Sequence, residues 1–588
     1  MLHSIVSTGK QHDDGEVPTD LELARIVAIL AKCFCGNVKS DEYICDPAAG
    51  SGNLITSAVD VFNVSPCQIK ANDVNEKLLE LLSLRTGLNF AKIVNNKNSA
   101  EISAKSIVDL PTNYFDKVKV IVMNPPFIAG IKCVERKQEL FKKIREIKRK
   151  NAITNIGQMN LEGAFLEAIC SLCKPDTVIS CVLPKTHLVA RGAEAVALRK
   201  YLLTDFGLTA IFSYPEEGLF DEVVKGTCVV VGKVGASSDT VKIISSNGLV
   251  ADIDLQSFEK AISGVFNTET FATVTPGIDG IEQTKKHLLS IVKEGWRQVC
   301  REFDDALGFQ EAHIRYNDKL IKMKDIDKKL LVRKRGVAGN SGASDLLMMD
   351  RVKPFYQKYK GMPVIPAVRN AKLGGIIISD GDTTCFDVAK INDSDLEKIA
   401  NDFSAIPLKE SRQQRNEKTP AELIALLKST SSKATPANSV LIPRGIRSQG
   451  RAYVTEKNAV ISTNLISVTE KNKVEAFILA SWISTIFYQL ICEVNAKPQE
   501  GMRKMEVGDI EETYIPVVDM LTKEQIKILV TEIGSIEFLR LNTPVIRKID
   551  MIWADILFGK EARLRLDEAK RLLEFLANAR NPLSNNDD

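Results

Sequence analysis

Asn124-Pro125-Pro126-Phe127 is the stretch of this chain best suited to chemistry. It follows the apolar run Val118 to Met123, so it falls where a buried strand would end. Ligands of open α/β sheets bind outside such carboxyl ends. A proline pushes the residue before it into extended backbone and has no N–H of its own. Two in succession predict a stiff, outward-facing turn presenting the Asn124 amide and the Pro125 carbonyl. Both supply acceptors, which suits an exocyclic amino group with two N–H donors. Phe127 adds a flat apolar face on which a ring can stack. Asn-Pro-Pro alone is an ordinary turn signal, so the meaning depends on what lies upstream.

Upstream stands Asp46-Pro47-Ala48-Ala49-Gly50-Ser51-Gly52-Asn53-Leu54, between the short apolar stretch Tyr43-Ile44-Cys45 and a helical pattern from Leu54 to Val61. Gly50 and Gly52 remove Cβ atoms where a strand turns sharply into a helix, so a ligand could lie against bare backbone; an ordinary tight turn is the alternative. The third glycine of the dinucleotide fingerprint and the lysine of a P-loop are both missing. Asp46 at the strand tip is a poor neighbour for pyrophosphate and a good one for an ammonium group. The next strand pattern, Gln68 to Asn72, ends at Asp73. A carboxylate about twenty residues after the glycine loop is placed to accept hydrogen bonds from ribose hydroxyls. Asp73 could equally cap the helix starting near Glu76, with Asn75 a competing cap.

Taken together, Gly15-Glu16-Val17-Pro18-Thr19, the Asp46 to Leu54 loop, Asp73 and Asn124 to Phe127 resemble the S-adenosylmethionine-dependent DNA N6-adenine methyltransferases. The motif order is that of their gamma group, found in Type I and Type II restriction-modification systems. The resemblance runs over about residues 15 to 235 and more faintly beyond. It implies a catalytic role for Asn124, Pro125, Pro126 and Phe127, with Asn124 and Pro125 gripping the target amino group and Phe127 stacking on the base. It also implies cofactor contacts from Pro18 and Thr19 at the methionine end. Asp46, Gly50 and Gly52, with Pro47 and Asn53 in the same loop, would line the methionine and sulfonium portion. Asp73 would serve the ribose and Asp109 the adenine ring, with Ser106 the rival for that last position.

The chemistry expected of this family suits those residues. An adenine amino group is a poor nucleophile because its lone pair is delocalised into the ring. Accepting both hydrogens in a bent geometry frees that pair for in-line attack on a methyl. Near-attack positioning can contribute roughly 7–11 kcal/mol, so neither a covalent intermediate nor a strong base is needed. Methylation at cytosine C5 would need a thiolate on the loop, whereas the chain's Pro66-Cys67 precedes the second strand. The target base must first be everted from the duplex.

The expected fold is α/β: a class I methyltransferase with a Rossmann-like seven-stranded sheet and an antiparallel edge. Leu161 to Lys174 reads as a helix, Thr177 to Leu183 as the fifth strand, Ala193 to Leu203 as a helix. Thr209 to Tyr214 and Gly226 to Val234 read as the final strand pair. The expected divisions are a catalytic domain over 1–235, a connector over 236–330, an α+β target-recognition domain over 331–518 and a helical segment over 519–588. Val332 to Asn340, Ile442-Pro443-Arg444-Gly445 and Gly501 to Val507 through Tyr514-Ile515-Pro516 resemble parts of recognition domains. The alternative is an accessory domain without base contacts.

Net charge is only +3 over 588 residues, so any nucleic-acid signal must come from local patches. The clearest follows the catalytic tetrapeptide: Lys132, Lys142, Lys143, Arg145, Lys148 and Arg149, with Arg136, Lys137 and Lys150. It is expected to contact phosphates beside the everted base; a solvated helix laced with ion pairs is the competing account. Arg333 and Arg335, and Arg444 and Arg447, are the further DNA-binding candidates. Twelve scattered cysteines and five dispersed histidines form no metal constellation, so no metal is expected. Neither a signal peptide nor an apolar run approaching the ~20 residues of a membrane span is present, which suggests a soluble cytoplasmic enzyme. Only fourteen residues precede Gly15, and no acidic-acidic-Lys cluster stands out, so a fused nuclease is not expected. The leading expectation is a site-specific DNA adenine methyltransferase using S-adenosyl-L-methionine on double-stranded DNA, with a specificity or nuclease subunit left open as a partner. Methylation of RNA or protein glutamine competes with it, as does a non-catalytic DNA-recognition subunit.

Overall fold

A computed structural model describes residues 18–86, 101–214, 226–236, 238–246, 250–263, 277–300, 303–336, 357–369, 375–404, 419–431, 433–450, 452–499 and 502–580. Gly15 to Val17, 337–340, Gly501 and the tail from Asn581 lie outside the described residues. The chain divides into two compact units, with the first break between Asp304 and Asp305.

The first unit is built on a nine-stranded sheet in the order β3-β2-β1-β4-β5-β7-β6-β8-β9. Its strands are β1 (Tyr43–Asp46), β2 (Ile69–Asn72), β3 (Glu101–Ser103), β4 (Val118–Met123), β5 (Val178–Pro184), β6 (Leu208–Ser213), β7 (Thr227–Lys233), β8 (Thr240–Ser246) and β9 (Ile278–Thr284). β1 pairs in parallel with β2 and β4, and β4 in parallel with β5. β7 runs antiparallel between β5 and β6. All seven anticipated strands are present. The two extra ones come from the stretch expected to be a connector, whose alternating Val and Ile residues pair with β6 and with each other. The sheet has nine strands rather than the seven expected, and its antiparallel edge is β9, which runs antiparallel to β8.

Helices cover both faces, as a largely parallel sheet requires. They include α1 (Leu21–Cys35), α2 (Asn53–Phe62), α3 (Glu76–Thr86), α4 (Val134–Lys148), α5 (Leu161–Leu172), α6 (Ala193–Leu203) and α7 (Leu255–Ser263). The β4 residues Val120 and Val122 share one core with Val178, Val182, Val229 and Val231 and with the buried side of α1. Ile121, Met123, Ile179 and Cys181 alternate to the opposite face and are buried there too. This double burial is why β4 and β5 read as continuous apolar runs. α1 begins at Asp20, whose carboxylate accepts the N–H groups of Glu22 and Leu23, satisfying donors the first turn leaves orphaned.

The second unit is α+β. A five-stranded sheet joins Val332–Arg335, Leu465–Thr469, Ser439–Pro443, Tyr453–Thr455 and Ile377–Ile378, and Val364–Val368 lies between Thr383–Phe386 and Val460–Ile461 in a three-stranded one. Helices Lys523–Glu532, Lys548–Phe558 and Ala562–Arg580 follow. The first opens on the Thr522–Gln525 capping box. Helices Lys473–Ile483 and Ile486–Asn495 are apolar and almost wholly buried. Among the described residues no single helix is long and apolar enough to cross a membrane.

One buried cation braces the first unit. Arg199 on α6 is fully buried and donates to the carbonyls of Val292, His187 and Leu188. Burial lowers its pKa to about 10, well within the charged range at neutral pH. Replacing it with Ala would strand the Val292 and His187 carbonyls, each costing about 1–3 kcal/mol when left unsatisfied, whereas Leu188 keeps the Trp296 N–H. Arg199→Ala is expected to destabilise the first unit by on the order of 3 kcal/mol, read as a lower thermal midpoint, with Arg199→Lys recovering only part of the loss.

Candidate active site

The motifs that looked separate in sequence meet at the carboxyl ends of β1, β2 and β4. A cavity of about 770 Å³ opens there. Its wall includes Pro18, Thr19, Pro47, Gly50, Gly52, Asn53, Asp73, Asn124, Pro125 and Pro126. Thr19 ties these pieces together: its hydroxyl oxygen accepts from Asn124 Nδ2 at 3.1 Å, and its carbonyl accepts from Asn53 Nδ2 at 2.5 Å. Asn72 performs a similar service from β2, donating to the carbonyls of Pro47 at 3.1 Å and Lys105 at 3.0 Å.

The two glycines are needed for different reasons. Gly50 has φ +50°, and a Cβ added there would enter open space. Gly52 has φ +92°, and its Cβ would stand 2.0 Å from Leu82 Cδ1 of α3. Gly50 therefore leaves room above the loop, whereas Gly52 lets α3 approach from behind.

Asp73 ties the glycine loop to the turn that leads into α3, while the competing cap, Asn75, takes the helix start. Asp73 Oδ1 accepts the Asn75 N–H at 2.9 Å, in the turn leading into α3, and its Oδ2 accepts the Gly50 N–H at 2.8 Å. Asn75 in turn accepts from the Lys77 N–H. Burial raises the Asp73 pKa, opposed by these backbone donors. Asp46 is more extreme. It is fully buried behind the wall rather than on it; Oδ1 accepts the Ala48 N–H, and Oδ2 has no hydrogen-bond partner among the described residues. Burial pushes its pKa well above the carboxylate range.

These features fit S-adenosyl-L-methionine. A glycine loop leaves room for it, a carboxylate at the cavity wall suits ribose hydroxyls, and a buried carboxylate oxygen lacks a donor. The elongated wall passes from Ser106, Ile107 and Val108 to the Asn124 turn.

Several expectations need correcting. Asp109 is not among the lining residues, whereas its rival Ser106 is. Ser106 precedes the 3₁₀ turn Ile107–Asp109, which leaves Asp109 off the wall. Phe127 is only 8% exposed and belongs to the core around α1, so it presents no open stacking face here. The apolar core outcompeted the site for that ring.

The basic candidates separate into two classes. Lys132, Lys142, Arg145 and Arg149 are exposed on or beside α4. Lys143 donates to the Val108 carbonyl at 2.8 Å and Lys148 pairs with Asp205 at 2.7 Å. In the second unit Arg333 is buried, bound to Glu511 and to the carbonyls of Ile326 and Leu331. Arg444 is likewise buried, held by Glu506 and the Thr463 carbonyl. Both side chains are spent on the protein's own structure. Arg335 and Arg447 are exposed, with Arg335 Nε directed at the Thr463 carbonyl.

Sequence reasoning missed other wall residues: Asn72, Lys105, Arg136, Glu139, Leu140, Leu161 and Phe165. Arg136 with Leu140, and Leu161 with Phe165, each stand one helical turn apart, a signal that was present but fits an ordinary core face equally well.

Residues 3–267 match the N-6 DNA methylase family, and residues 334–546 match the specificity domain of the restriction endonuclease BpuSI. Among solved structures, the type IIG restriction endonuclease BpuSI is 32% identical, with a TM-score of 0.55 over 99% of this chain and 68% of that one. The type IIL restriction-modification enzyme MmeI, solved in complex with DNA, is 12% identical with a TM-score of 0.48, covering 95% of this chain and 72% of MmeI. A type I methyltransferase subunit from Streptococcus thermophilus is 17% identical with a TM-score of 0.36, over 47% of this chain and 58% of that subunit. No curated protein matches. With a methylase match followed by a specificity-domain match, and a relative of that identity and coverage, the chain belongs to the N6-adenine DNA methyltransferases of the restriction-modification type represented by BpuSI.

Proposed function

We propose that this chain binds S-adenosyl-L-methionine in the cavity at the β1–β4 strand ends and methylates N6 of an everted adenine at a specific duplex site. The observation that carries this residue assignment is the Thr19 tie, which fixes the Asn124 amide to the same wall as the glycine loop. The specificity-domain match favours DNA over RNA or protein glutamine as substrate.

The bound cofactor would supply the electrophilic methyl carbon on its sulfonium. Everything else falls to the chain's own side chains. Donation from Asn124 Nδ2 to Thr19 leaves the amide oxygen as the acceptor for one adenine N–H. The Pro125 carbonyl accepts the other, and Pro126 keeps the turn stiff. Asp73 keeps lone pairs for ribose hydroxyls beyond the two backbone donors it already serves. Asp46 takes the methionine end from behind the loop. Ser106 and Ile107, with the wall residues Leu161 and Phe165, are assigned to the adenine end. Lys142, Arg145 and Arg149 are assigned to phosphates.

Expression in a host lacking adenine methylation, followed by mapping of modified bases, tests the whole reading. N6-methyladenine should appear at one recurrent sequence, and its absence would reject the function. Asn124→Ala should lower transfer by roughly a hundredfold or more while cofactor affinity measured by calorimetry stays nearly unchanged.

Asp46→Asn separates binding from stability. A carboxyl whose folded pKa lies above its unfolded value costs nothing below the unfolded value, and its penalty grows as pH rises through the folded one. The apo variant should therefore melt higher than the wild type at about pH 8, the gap closing below about pH 4, the ordinary carboxylate value. Its cofactor affinity should nevertheless fall by about tenfold or more.

Neutralising Lys142, Arg145 and Arg149 together should flatten the dependence of DNA affinity on salt by about 0.9 in log–log slope for each phosphate that is no longer neutralised. An unchanged slope would return that face of α4 to the role of a solvated helix.

A further inference from the structure

Ile131 is 63% exposed, although it sits in the turn immediately after the catalytic tetrapeptide. The turn is closed by the Lys132 N–H donating to the Ala129 carbonyl at 2.8 Å, with Gly130 and Ile131 at its centre. Such positions favour Gly, Asn, Asp or Ser, which relieve strain or make local hydrogen bonds. A β-branched apolar side chain gains neither, and here it is left in water.

The turn is not loose. The Gly130 N–H donates to Asn160 Oδ1 at 3.1 Å, and the Leu161 N–H donates to the Ile128 carbonyl at 3.0 Å. A Cβ on Gly130 would lie 2.2 Å from the Gln158 carbonyl oxygen, so the two loops are pressed backbone to backbone. Lys137 Nζ, itself buried, fixes the second loop through the Met159 carbonyl at 2.9 Å. Asn160 is braced by Glu162, which also bonds His187. That second loop carries Ile153 and Ile156, again exposed, and Val134 opens α4 beside the turn. A rigid platform next to the methyl-transfer turn thus holds up apolar side chains with exposed Lys132 alongside.

We propose that Ile131 is the wedge that enters the base stack when the target adenine leaves it. Eversion opens a gap the size of a base between two flat apolar faces, and apolar side chains inserted at such steps hold the duplex open. The turn's rigidity means that the side chain is already extended when DNA arrives. Only the everted base, and not the chemistry on it, depends on this contact. The inference rests on the adenine methyltransferase reading above.

The test uses the full-length protein and a duplex carrying the mapped recognition site. In one set the target adenine is replaced by 2-aminopurine, whose fluorescence rises on unstacking. Wild type and Ile131→Met should give a large rise and Ile131→Ala a small one. Methylation of the normally paired duplex by Ile131→Ala should fall by about tenfold. On a duplex whose target adenine faces an abasic site, where eversion is easy, it should return to within about twofold of wild type. Equal fluorescence and equal rates for Ile131→Ala and wild type would overturn the wedge, as would an equal loss on both duplexes. A wild type that methylates neither duplex would instead reject the enzymatic reading beneath it.

Discussion

The parallel placement of β1 between β2 and β4 is the constraint on which the site depends. Strand order reverses there, so the loops leaving β1 and β4 part company and a crevice opens between them. Pro47 follows β1, Asp73 follows β2, and Asn124 follows β4, so residues far apart in sequence reach one wall without any long loop. Loops alone would not hold that arrangement. Thr19 and Asn72 do, each bonding two other segments through short polar contacts that leave little backbone freedom.

The same geometry explains why the site is costly to keep. Asp46 is sealed beneath its loop with one oxygen lacking a donor among the described residues, and Asp73 is mostly desolvated even while it takes two backbone N–H groups. A buried carboxylate without a full set of donors weakens the fold, because desolvation opposes its charge. Proteins keep such groups where a cationic or hydroxylic ligand completes the set. The stability given up by the empty fold returns as binding free energy when that ligand arrives.

Much of this was legible beforehand, for reasons that particular residues make plain. β1, β4 and β5 stand out because both faces are covered, which leaves unbroken apolar runs. Asn124 and Asp46 stand out because proline and glycine punctuate the strand ends they occupy. What was not legible depends on distant neighbours. β8 and β9 alternate like half-buried strands, yet nothing local says that they pair with β6 and each other. Arg333 and Arg444 look like a DNA-facing pair until Glu511 and Glu506 arrive from far along the chain. Phe127 looks like a stacking platform because it follows two prolines, but its ring finds the core of α1. Asp109 misses the wall because a 3₁₀ turn of three residues puts Ser106 there instead.

Helix α4 has two audiences. Arg136, Glu139 and Leu140 form part of the cavity wall, Lys143 is bolted to the carbonyl of Val108, itself a wall residue, and Lys142 and Arg145 are exposed. One rigid rod cannot be tugged from outside without disturbing what leans on it within. Any preference that an approaching polyanion has for one tilt of this rod must be repaid, in equal measure, as a preference by whatever fills the chamber beneath. On the proposed reading, occupancy of the chamber and grip on the polymer become, by this single piece of backbone, a shared quantity.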